Sequence, residues 1–112
     1  MSVRKFKRSE CSVLTLVLKG KWYDLIASGE KKEEYRDATH RYRLRLNNWF
    51  FNAETLQRPM VVAFSRGYTK PDMFFVVNEF PDSTCAKTHP EWGEPDTPHY
   101  VIKLSERVEL VD

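Results

Sequence analysis

Gly29-Glu30-Lys31-Lys32-Glu33-Glu34-Tyr35-Arg36 is the densest polar stretch of the chain and the one from which its organisation is read. Glycine tolerates a left-handed backbone, so Gly29 reads as the start of a turn that carries Lys31. Residues 33 to 37 read as a brief strand, and because strand side chains alternate, Glu34 and Arg36 leave by the same face. Lys31 supplies a compact cation for a phosphate or a polarised carbonyl, and Arg36 a fixed fork of donors. Glu34 orients those cations or accepts from an exocyclic amine such as cytosine N4. The plain alternative is a surface ion-pair network, which contributes little to stability.

Working outward, residues 21 to 28 place Trp22, Leu25 and Ile26 at helical spacing and end in Ser28-Gly29, a short amphipathic helix with a glycine stop. Residues 12 to 19 before it are rich in Val and Leu and predict a mostly buried strand. The segment His40 to Phe51 fits both a strand and a helix; Thr39 as a cap favours the helix. Strands are expected at 60 to 65 and 73 to 80, flanking a turn from Arg66 to Asp72, and at 100 to 104 and 107 to 111. Residues 81 to 98 hold four of the six prolines and read as a long loop, either functional or packed over a barrel mouth. Five or six short strands with one or two short helices predict an α+β fold, a small mixed β-barrel.

Gly29-x-Lys31-x-x-Glu34-x-Arg36 resembles the G-x-K-x-x-E-x-R signature of the activating signal cointegrator homology (ASCH) domain, a small barrel of the PUA-like superfamily. The helix from Trp22 to Ser28 is similar to the short helix that leads into that signature. Phe64-Ser65-Arg66-Gly67-Tyr68, then Pro90-Glu91-Trp92-Gly93, then Tyr100-Val101-Ile102-Lys103-Leu104 resemble, in this order, a branch common in bacteria and their phages. The likeness runs from about Val13 to Val111. It implies a PUA-like barrel with a nucleic-acid or nucleotide ligand in a cleft beside it. One branch of very small members looks like amidohydrolases that deacetylate N4-acetylcytidine with the signature lysine, a threonine and a glutamate; others resemble ribonucleases. Lys31 matches the lysine, but Glu34 stands where that branch has threonine, and the loop after residue 80 does not match. A carboxylate there favours a charged ammonium over a nucleophilic amine.

With 112 residues, 41% of them hydrophobic and 30% charged, the chain has the size and material of one domain, 1–112, with residues 1–11 as a basic tail. Cys11 and Cys85 form no metal or disulfide pattern, which fits a reducing, cytoplasmic setting. The run Val13 to Leu18 follows basic residues as in a secretory signal, yet it is six residues long and ends in Lys19-Gly20-Lys21, so neither a signal nor a membrane partner is expected. Phosphate-binding loops and the usual hydrolase motifs are absent, and no metal or cofactor is expected.

Residues 1 to 50 hold 12 basic and 6 acidic groups and residues 51 to 112 hold 6 and 10, an asymmetry that suits an anion-binding face. Tyr68, in a glycine turn, and Trp92, in the proline-rich loop, are the best exposed rings for stacking a base; Trp49 and Phe50 read as core. The expected ligand is RNA or a nucleotide-derived small molecule, held by Lys31, Glu34, Arg36, Arg41, Arg66, Tyr68 and Trp92. A hydrolase would use Lys31 with Glu34 or Glu91 as acid or base. A third reading, a protein-interaction module, would use the acidic loop Glu91 to Asp96.

Overall fold

One inner strand is buried on both faces: Met60 to Ser65 are each no more than 7% exposed. The structure, a computed structural model, describes residues 3–112, and among them eight strands form two sheets beside two α-helices. The larger sheet runs β1(Lys5–Lys7), β8(Arg107–Val111), β5(Met73–Val77), β4(Met60–Arg66), β2(Ser12–Leu18), with β1/β8 and β4/β2 parallel and the other pairs antiparallel. The smaller is β3(Glu33–Asp37), β7(His99–Lys103), β6(Asp82–Thr84), all antiparallel. Both sheets, α1(Gly20–Ala27) and α2(His40–Leu56) share one core, in which Leu14, Leu16, Val62 and Phe64 meet Ile26, Leu46, Trp49 and Ile102. The α+β class holds. The strands number eight, not five or six, and the two sheets are separate rather than one closed ring.

Local chemistry explains most of the elements. In β2 the residues 14, 16 and 18 are buried and 15 and 17 exposed, the alternation of a strand with one face on the core. Thr39 caps α2 by accepting from the Tyr42 N–H at 3.2 Å. The helix continues past Phe51 to Leu56 because Ala53 keeps the buried stripe of Leu46 and Trp49. It stops where Gln57 turns left-handed, Arg58 N–H reaches back to the Ala53 carbonyl, and Pro59 follows.

Two segments depart from the expected irregularity. Of the basic tail 1–11, residues 1 and 2 lie outside the described residues, but Lys5–Lys7 is β1, seated on the closing strand β8 with Lys5 beside Glu109. The loop 81–98 contains β6, paired to β7, and a single 3-10 turn, Pro90–Trp92. No helix among the described residues is long and apolar enough to cross a membrane.

Candidate ligand cleft

Three elements converge at one end of β2. Helix α1 is followed by Ser28 and Gly29, whose positive φ of 87° turns the chain, and the Lys31 N–H bonds back to the Leu25 carbonyl at 3.0 Å. This ties Lys31 to the helix end just before β3 begins. Strand β3 then sends Glu34 and Arg36 out by one face, as the alternation requires. The 3-10 turn arrives from the other side, and Gly93, with φ 80°, sits so close to Trp22 that an added Cβ would fall 2.6 Å from the ring. The result is a cleft of about 290 Å³. Lys31, Glu34 and Arg36 line it together with the rings of Trp22, Tyr35, Tyr42 and Trp92.

The polar cluster is no surface network. Lys31 is 2% exposed and Glu34 6%. Lys31 Nζ donates to the Trp92 carbonyl at 2.8 Å, lies 3.6 Å from Glu34 Oε1, and sits 4.4 Å over the Tyr35 ring and 5.3 Å over that of Trp22. Burial pushes its pKa below the usual lysine value, outweighing the pull of Glu34 in the other direction. Proximity to the carboxylate alone suggested the opposite; desolvation is the larger effect. Arg36 Nε donates to Glu34 Oε2 at 2.9 Å, one Nη to the Tyr42 hydroxyl and the other to the Val17 carbonyl. Burial opposes the Arg36 charge, but Glu34 and Tyr42 keep its pKa above the ordinary arginine value. Glu34 Oε1 accepts no hydrogen bond among the described residues, so the cleft offers an ammonium donor beside a carboxylate acceptor.

The other expected residues divide. Arg41 and the fully exposed Tyr68 (99%) line a groove that adjoins the cleft through Val17, Leu18, Lys19, Arg36 and Tyr42. Trp92 is half-buried at the cleft, its ring stacked on His89 with centroids 4.1 Å apart, and it touches Lys31 through its backbone carbonyl. Arg66 is elsewhere: it pairs with Asp24 on the surface and lines neither cleft nor groove. Glu91 also lies outside; it is exposed and bonded to His89 Nδ1 at 3.0 Å. In the acidic loop, Glu94 is buried, accepting from Thr88, the His89 N–H and His99 Nε2.

Trp22, Tyr35 and Lys19 are lining residues that the sequence did not single out as ligand contacts, while Tyr42, near the basic residues of α2, is one of the rings it offers for stacking. Trp22 reads as a core position because it opens the apolar stripe of α1, whereas it is half-buried and turned to the cleft. Comparison of the chain with family models, with curated proteins and with solved structures finds no match in any of the three, so the likeness to ASCH domains rests on the motifs themselves.

Proposed function

We propose that the protein binds RNA or a nucleotide-derived small molecule, with one base lying in the aromatic cleft over Lys31, Glu34 and Arg36, and that its two sheets correspond to a PUA-like barrel. The observation that carries the reading is the pairing, between aromatic walls, of a buried cation with a carboxylate oxygen 3.6 Å away that Arg36 leaves unbonded. A nucleobase edge presents acceptors and donors side by side, and its faces stack on rings. The cleft volume of about 290 Å³ lies at the low end of small-molecule sites, which suits a single base or nucleoside.

One observation favours turnover as a second reading. Buried lysines with lowered pKa are the ones that act as bases or nucleophiles, and Lys31 has that environment. A hydrolase of an acylated nucleoside or of RNA would use Lys31 with Glu34. Glu91 lies outside the cleft, and a bonded His89 holds its pKa down after its own backbone N–H, which disfavours it as an acid.

Titrating the protein with the four ribonucleoside monophosphates, then incubating it with N4-acetylcytidine and with single-stranded RNA, tests both readings. Saturable binding of a nucleotide, at least tenfold weaker in Lys31→Met, is expected. Binding without product supports the binding domain, product supports the hydrolase, and no binding of any of these ligands overturns both.

A further inference from the structure

Strand β2 is an edge of the larger sheet, and α2 runs beside it. Three of its seven carbonyls are taken by side chains. Trp49 Nε1 donates to Ser12 O at 2.8 Å, Arg45 to Thr15 O at 2.7 Å, and Arg36 to Val17 O at 2.8 Å. A peptide adding as a further strand would compete with these side chains, which disfavours β-addition at this edge.

Between that edge and α2 lies a continuous groove. One part, about 660 Å³, opens from the cleft past Arg41 and Tyr68; the next, about 580 Å³, shares Thr15 and Arg45 with it and runs on past Asn48 and Asn52 to Arg58. Arg41, Arg45, Asn48 and Asn52 recur at intervals of four, three and four, so they form one stripe of α2 facing the groove. Lys19, Arg36 and Arg58 add three more cations, and neither part is lined by a single Asp or Glu. On a chain with 16 acidic residues and a net charge of only +2, that segregation marks a path for a polyanion.

We infer that the groove carries a single nucleic-acid strand leading away from the base held in the cleft, so that the preferred ligand is an oligonucleotide rather than a mononucleotide. This inference rests on the reading of the cleft given above. The seven residues of β2 span ~23 Å at ~3.3 Å each, room for roughly six to seven nucleotides whose stacked spacing is ~3.4 Å. The arginines contact phosphates, the asparagines offer both donors and acceptors to base edges, and Tyr68 presents a ring for stacking.

The test is a length series of uridine oligonucleotides, from the monophosphate to the decamer, on the wild-type protein and on Arg58→Ala at the far end of the groove. Affinity is expected to climb by at least tenfold between one and about six nucleotides and then level off. Arg58→Ala should weaken the hexamer three- to tenfold, lower the dependence of log K on log salt by about one, and leave the monophosphate unchanged. Equal affinity for monophosphate and hexamer overturns the groove while sparing the cleft. Failure of both to bind overturns the cleft reading itself. Polyglutamate competing as well as the hexamer would reassign the groove to an acidic protein partner and overturn the nucleic-acid path.

Discussion

Lys31 is the residue on which the chemistry depends, and its environment differs from what its spacing suggests. An i, i+3 lysine and glutamate on a charged stretch reads as an exposed pair, whereas here the lysine is buried, with its ammonium over the rings of Trp22 and Tyr35 at the cleft. Glu34 and Arg36 were legible, because strand alternation alone puts both on one face. The burial was not, since it comes from a loop sixty residues further along the chain, through the Trp92 carbonyl. A test follows from packing. Lys31→Ala empties a buried site and should cost ~2–4 kcal/mol, as truncation of a long core side chain does. Lys31→Met fills the same space and leaves Glu34 paired to Arg36, so its thermal midpoint should stay within a few degrees of wild type while nucleotide binding is lost. A Lys31→Ala protein that melts like wild type would show that the side chain is solvent-exposed after all.

The segment from Asp82 to Trp92 shows what an element needs in order to be read. Three-residue strands such as β1 and β6 are too short for a periodic pattern, and β6 directly follows Pro81 in a stretch, 81–98, that holds four of the six prolines. In α2 the opposite difficulty arises: Arg41, Arg43 and Arg45 alternate as a strand would, and only the helix sends Arg43 to His40 while Arg41 and Arg45 face the groove. The long loop is held by Glu94 and His99, five residues apart with no motif to announce them. Both His99 nitrogens lie at hydrogen-bond distance from oxygens, Nδ1 from the Thr97 carbonyl at 2.6 Å and Nε2 from Glu94 at 2.8 Å. Burial alone would raise the Glu94 pKa, but the hydrogen bonds from His99, His89 and Thr88 hold it down to about 2. A carboxyl with a depressed pKa stabilises the fold fully above its ordinary value of 4.5 and loses that contribution as pH falls toward 2. Thermal melts from pH 7 to pH 2 should therefore show an acid loss that shrinks in Glu94→Gln. That variant should already be ~1–3 kcal/mol less stable at neutral pH, because the amide replaces a buried carboxylate that accepts from Thr88, the His89 N–H and His99. Equal stability and equal acid profiles in the two proteins would remove Glu94 as the anchor of the loop.

At the scale of the whole molecule, the excess of basic residues in the first half does become a spatial feature, because β2, α1, β3 and α2 all border the cleft or its groove. The acidic second half supplies mainly the sheet and the Glu94 anchor, and its contribution to the cleft is Trp92 and Gly93. Chain order therefore made the polarity legible, whereas the contacts across the two halves, above all Lys31 with Trp92, depend on tertiary packing. The three tryptophans give this arrangement its own reporters: Trp22 and Trp92 line the cleft, and Trp49, 3% exposed, has its indole N–H fixed on Ser12. A ¹H–¹⁵N spectrum of the full chain resolves the three indole signals separately. On titration with a ribonucleoside monophosphate, the Trp22 and Trp92 indole signals and the backbone amides of residues 31 to 36 should move together along one saturable curve while the Trp49 indole stays in place. Saturable shifts that leave Trp22, Trp92 and residues 31 to 36 unmoved would contradict the claim that this cleft receives the base.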